Sequence, residues 1–184
     1  MTITLSNLDL HEFLDEIGHS RLDNYILPGL SSTLLSGADV NVRMFKNSRP
    51  SDGVITPHSH RFSLACCVMQ GEVTNWIYLL GDSGFSGQAE YQATTLRYDG
   101  KPGHYEFGSS EFRHYRRYGQ RFVAGEWYFM RHTDIHSIEF SQDARVLIIE
   151  GPDVTNETTI LEPVVNGKVV PTFEVKPWMF QKAA

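Results

Sequence analysis

The stretch Pro57-His58-Ser59-His60-Arg61-Phe62-Ser63-Leu64-Ala65-Cys66-Cys67-Val68-Met69-Gln70-Gly71 places two histidines, one residue apart, at the head of an apolar run that ends in glycine. An apolar run of this length between turn residues reads as a β-strand, Pro57–Gln70, closed by a turn at Gly71-Glu72. Side chains alternate faces along a strand, so His58 and His60 are expected on one side, about 7 Å apart along it. Two neutral imidazoles so placed can converge on one cation, and imidazole suits Fe, Zn, Ni or Cu. A metal needs a further ligand from elsewhere in the chain, and His136 is the leading candidate.

The flanking sequence has the texture of short strands. Val40–Phe45 precedes the histidines, and Val73–Leu80 follows them with Thr, Trp, Ile and Tyr. Ala89–Arg97 and Gly103–Phe107 read as a hairpin joined around Asp99-Gly100. Phe112–Tyr118, Arg121–Val123, Glu126–Arg131, His136–Phe140 and Ala144–Glu150 come next. Pro163–Val170 carries Asn166-Gly167 at its centre, and Asn-Gly favours the type I′ hairpin turn. Many short strands with little helix indicate a barrel or sandwich. Only the N-terminus departs from this. Ser6 or Asn7 can cap a helix with Leu8, Leu10, Phe13, Leu14 and Ile17 on its apolar stripe, and a second helical turn is expected over Arg21–Tyr25 before Pro28-Gly29.

The 184 residues, 41% of them hydrophobic, suffice for one domain with a proper core. Residues 1–35 are expected to be a helical segment packed on a β-barrel formed by 36–184. A net charge of -6 argues against a general binder of nucleic acid or anionic membranes. Cys66 and Cys67 are adjacent, so they point to opposite faces of a strand and form neither a redox pair nor a disulfide framework. The first residues lack a basic segment followed by an apolar one, and no apolar run approaches about 18 residues, so a soluble cytoplasmic protein is expected.

Two spacings resemble the cupin family, whose first motif has the form G-x5-H-x-H-x(3,4)-E-x6-G and whose second has the form G-x5-P-x-G-x2-H-x3-N. Gly53 precedes His58 one residue closer than the first pattern, and Gly71 falls at its closing glycine. Gly125, Arg131, Thr133 and His136 match the second in spacing, with Arg and Thr where Pro and Gly are usual and Phe140 in place of the Asn. Leu64 occupies the position of the glutamate ligand. The resemblance therefore implies a cupin-type β-barrel or jelly roll and a metal site of His58, His60 and His136 without a carboxylate. That variation is similar to the thiol dioxygenases among the cupins, as are His136-Ser-Ile-Glu139 and Gln70-Gly71. It implies a divalent metal, Fe(II) first with Zn, Ni or Mn as alternatives, and a dioxygenase acting on a small polar substrate such as a thiol. A metal-dependent isomerase or hydrolase, and a non-catalytic cupin that binds a small ligand or partner, stay open. A small-molecule substrate is the expected partner, with room for a homodimer.

Several other residues bear on that reading. Arg43, on an early strand, and Arg131, close to His136 in sequence, are candidates to hold a small anionic substrate through paired hydrogen bonds. Tyr128, with Tyr78 and Phe62, is expected to exclude water. Cys66 shares strand parity with His60, but its spacing does not match the cysteine that some thiol dioxygenases crosslink to tyrosine, and it reads as a small buried hydrophobe. Glu72 lies in the turn past the strand, and His132 lies in a loop. His11, His19, His104 and His114 have no partner spacing. Arg113, Arg116, Arg117 and Arg121, interleaved with tyrosines, read as a solvated strand face with snorkelling stems.

Overall fold

A computed structural model describes residues 20–36, 41–49, 55–81, 87–100 and 105–172. Among the described residues twelve strands run in chain order: β1 Ser20–Leu22, β2 Leu30–Ser36, β3 Asn41–Asn47, β4 Leu64–Gln70, β5 Glu72–Leu80, β6 Ala89–Tyr98, β7 Tyr105–Val123, β8 Trp127–Met130, β9 Ile135–Phe140, β10 Arg145–Glu150, β11 Glu157–Val165 and β12 Lys168–Val169. They form two six-stranded sheets, ordered β1-β2-β3-β10-β4-β8 and β12-β11-β6-β7-β5-β9. Every pairing is antiparallel. The architecture is an all-β jelly roll: the short-strand texture implies a barrel or sandwich, and the resemblance implies the jelly roll. Among the described residues no helix is long and apolar enough to cross a membrane.

Direct cross-strand partners share a face, so the ladders define the inner surface of the first sheet. One row across it runs Leu34, Arg43, Ile148, Cys66, Tyr128; the next runs Asn41, Glu150, Leu64, Met130. Opposite lie Val73, Ile138 and Phe140 of the second sheet, and these join Ile148, Cys66, Tyr128, Leu64 and Met130 in the main core. Fully burying each aliphatic member contributes about 1.5–3 kcal/mol.

The second sheet is apolar on its other face as well. Tyr78, Ala93, Tyr115 and Leu161 form a second buried cluster, with Trp76, Tyr91 and Ile135 packed against it. β5 thus stands between two cores. Its residues Val73, Asn75 and Ile77 pair with Phe140, Ile138 and His136 on the main-core side, and Trp76 and Tyr78 pair with Ser137 and Ile135 on the other.

Some expectations need correction. The helix placed over residues 8–17 lies outside the described residues. The turn expected over Arg21–Tyr25 is not helical: β1 and β2 form a hairpin, so the sheet begins before residue 36. Asn24 and Ile26 adopt left-handed backbone conformations (φ 55° and 62°), and the Asn24 side chain accepts the Gly29 amide. Tyr25 stacks on Phe45 at 5.7 Å, so tertiary packing overrides the local helical spacing. The three strands read between residues 103 and 123 are one, β7. Glycine does not break it; at Gly119 a Cβ would meet the Trp76 indole at 2.7 Å, so the ladder needs glycine there. The Asn166-Gly167 turn is as expected, with φ of 52° and 71° at its two residues.

The largest correction concerns the opening stretch. The strand expected over Pro57–Gln70 is in fact two pieces. Leu64–Gln70 is β4 of the first sheet, whereas His58 bridges His136 on one side and Ile160 on the other. The His58 amide donates to the His136 carbonyl at 2.8 Å and the His136 amide donates back at 2.9 Å. Ser59 N donates to Thr159 O at 2.9 Å, and Leu161 N to Pro57 O at 2.9 Å. Pro57–Ser59 therefore joins β9 to β11, and the chain then bends through Arg61-Phe62 to enter the first sheet.

Candidate metal centre

The histidines sit where the chain changes sheets. His58 and His60 come from the crossing segment and His136 from β9, and the ladder bridge between His58 and His136 brings their rings together. Ring centroids lie 4.7 Å apart for His58 and His60 and 5.1 Å for each of the other pairs. One nitrogen from each ring falls within 4.8 Å of the other two. The structure thus brings together the three histidines that the sequence singled out, through a crossover rather than through strand alternation. Among the described residues no Cys, Asp or Glu belongs to this group.

The hydrogen bonds decide which nitrogen each ring presents. The Thr56 carbonyl lies 2.8 Å from His58 Nδ1, so that nitrogen is the donor and Nε2 keeps its lone pair. Asn75 Oδ1 lies 2.7 Å from His136 Nδ1. The Asn75 amide nitrogen meets the Met130 sulfur at 3.6 Å. A thioether accepts but cannot donate, so Nδ2 faces Met130 and Oδ1 faces His136. His136 Nδ1–H therefore donates, and its Nε2 carries a lone pair toward His60 Nε2 at 3.0 Å. Two imidazole nitrogens at that distance need a proton or a cation between them. Donors about 2.1 Å from one ion, at a right angle, lie about 3.0 Å apart. The donor set fits a first-row divalent metal.

Electrostatics point the same way. Burial lowers the pKa of His58, and the Thr56 hydrogen bond only partly offsets it. Burial lowers His60 well below the ordinary value, helped by the charges of His58, His136 and Arg43; His136 is lowered likewise by burial and by His58. Depressed pKa values keep all three rings neutral near pH 7, which is the ligand form.

The remaining candidates divide. Arg43 is held by Glu150, with Nε 2.7 Å from Oε1, and by the Ser32 hydroxyl at 2.9 Å. Its guanidinium is close enough to depress His60. Phe62 packs against the His60 ring at 5.4 Å. Tyr128 is buried in the main core, stacked on Phe122, and directly across the ladder from Cys66. Its hydroxyl has no hydrogen-bond partner of good geometry. Burial pushes the Cys66 thiol up to about 12, so it stays protonated.

Arg131 is turned away: its side chain is 81% exposed and paired with Asp134 at 3.0 Å. The turn at 131–134 explains this, since Asp134 also accepts the Arg131 amide. Tyr78 lies on the far face of β5, hydrogen-bonded to Ser137, and so belongs to the second core. Glu72 is at the surface, paired with Arg121. His132 supplies backbone contacts, its carbonyl accepting His60 N and its amide meeting Ser63 Oγ, but its ring is not among the three. In the basic cluster Arg113 pairs with Glu111, and Arg117 lies over the Trp76 ring. Neither Asn75 nor Glu150 stands in a motif that marks it in the sequence. The signal for Asn75 was a polar residue in the middle of a strand, where asparagine is depleted.

No family model and no curated protein matches this chain. Solved structures do. KdgF from Halomonas sp. is similar at 18% identity and a TM-score of 0.43, over 75% of this chain and 90% of that one. A cupin superfamily protein from Desulfitobacterium hafniense is similar at 12% identity and a TM-score of 0.41, over 72% and 82%. Hydroxypropylphosphonic acid epoxidase from S. wedmorenis is similar at 10% identity and a TM-score of 0.42, over 73% and 56%.

Proposed function

We propose that this chain is a metal-dependent cupin enzyme, a non-haem Fe(II) dioxygenase acting on a small anionic molecule, a thiol first among the candidates. The observation that carries the reading is the convergence of three neutral imidazoles with no carboxylate among them. Held by His58, His60 and His136, an Fe(II) ion would supply redox chemistry and open positions for substrate and dioxygen. For a thiol the balance is R–SH + O2 giving R–SO2H, with both oxygen atoms entering the product and sulfur supplying the electrons.

The chain's own residues would do the rest. Arg43, anchored by Glu150 and Ser32 and lying over the Tyr25 ring at 5.4 Å, can offer its guanidinium to an anionic group of the substrate. Phe62 covers the His60 ring. Leu64 stands opposite Met130, whose sulfur touches Asn75, so both are apolar wall on the side of His136. Together these groups exclude water from the reacting centre.

The test is metal analysis of protein purified without chelator, then oxygen uptake after anaerobic Fe(II) loading, with a panel of small thiols that do and do not carry a carboxylate. Uptake matched by sulfinate, greater with the carboxylate thiols and reduced at least tenfold by Arg43→Met combined with Glu150→Leu, which strands no charge, is expected. Protein that binds zinc tightly and consumes no oxygen after iron loading would overturn the dioxygenase reading in favour of a hydrolytic, isomerising or ligand-binding cupin.

A further inference from the structure

The three imidazoles are held unequally. His58 Nδ1 bonds a backbone carbonyl, which no side-chain change removes. Among the described residues His60 Nδ1 meets no protein acceptor, and its ring rests only against its neighbours and Phe62. His136 is held by a side chain, that of Asn75.

We propose that Asn75 is a positioning residue of the metal centre: its side-chain carbonyl locks His136 into the ring orientation and tautomer that present Nε2 to the ion. The inference rests on the metal-site reading above. Asn75 sits mid-strand on β5, 2% exposed, paired with Ile138 on one edge and Gln120 on the other. An amide in such a place costs free energy unless its polar atoms are matched. Here Oδ1 takes the His136 proton at 2.7 Å, and Nδ2 is turned to a thioether, a weak acceptor. The strong bond of the pair is therefore the one to the histidine. A group that accepts the far N–H of a ligating imidazole fixes its rotation and raises its donor strength, and losing such a group weakens metal binding about 10- to 100-fold.

Asn75→Leu keeps the volume and removes the acceptor, whereas Asn75→Asp keeps an acceptor in the same place. In metal-free protein, long-range 1H–15N spectra of the histidine rings should show His136 as a single Nδ1–H tautomer in the parent and in Asn75→Asp. Asn75→Leu should give a mixture or the Nε2–H form. In Co(II) titrations followed by visible absorption, Asn75→Leu should bind about 10- to 100-fold more weakly with an altered band. Asn75→Asp should stay within a few-fold of the parent. Should Asn75→Leu not fold, Asn75→Ala takes its place.

Unchanged affinity and spectrum in the variant that lacks the acceptor would overturn the positioning role while leaving the metal site standing. A parent that takes up no Co(II) defeats both, and that failure appears before any variant is made. Weaker binding with the tautomer unchanged would also overturn the proposal, because the loss would then come from general loosening of the core.

Discussion

A buried imidazole is easier to keep neutral than to charge, and this site holds three of them within reach of one ion. Their pKa values lie below the ordinary 6.5, so the unfolded chain takes up protons that the metal-free folded protein refuses. Above about pH 6.5 both states are neutral and nothing is lost; below it the unfolded state gains, and stability falls until the folded-state values are reached. Urea melts of metal-free protein should therefore show declining stability from pH 7 to pH 5, and His60→Gln should flatten that slope. A slope unchanged in the variant would show that the rings titrate as freely as in the unfolded chain. Leu64 gives a second test. It faces Glu150 directly across the β4–β10 ladder, so Leu64→Glu sets two carboxylates side by side in the interior. Arg43 already balances Glu150, so the added carboxylate needs a further cation. The melting temperature of Leu64→Glu should fall with chelator by far more than that of the parent, and an equal chelator effect would show that position 64 is remote from the metal.

Between β3 and β10, the Arg43–Glu150 pair is largely buried, with side chains 17% and 8% exposed. Removing one partner of such a pair strands a charge in the core. Glu150→Ala should destabilise by about 3–5 kcal/mol in denaturant melts, and Arg43→Met with Glu150→Leu should recover most of it. A double variant no more stable than Glu150→Ala would mean that Ser32 and Tyr25 alone account for the guanidinium's place. At this scale the sequence told most where local pattern and final structure agree. The Asn166-Gly167 hairpin and the alternation in β5, β9 and β10 were legible because their signals are local. Chain crossings were not. His58 and His60 meet His136 because Pro57–Ser59 inserts between β9 and β11, a long-range pairing that two-residue alternation imitates by chance. Arg131 looked close to the site in sequence, yet the tight turn through Asp134 sends its side chain outward. Asn75 left only the faint mark of an amide among apolar neighbours.

For the whole molecule, the same crossing couples metal to fold. One ligand lies on the segment that ties β9 to β11, a second just past it and the third on β9, so an ion there would fasten the seam of the second sheet. Metal at 100 times its dissociation constant should add about 2.7 kcal/mol. Native-state hydrogen exchange should slow most at the amides of His58, Ser59, His136 and Leu161, which cross that seam. Uniform slowing across both sheets would argue against a fastening role. The double burial of β5 has a different consequence. Along this one strand, alternate positions answer to separate neighbourhoods: Val73, Asn75 and Ile77 to the main core and its histidines, Trp76 and Tyr78 to the cluster behind. Such a strand works as a party wall. Redesign of the pocket can proceed through one set of positions with the other left as foundation, and the Trp76 indole, built into the far room, can report whether the work next door has cracked the masonry.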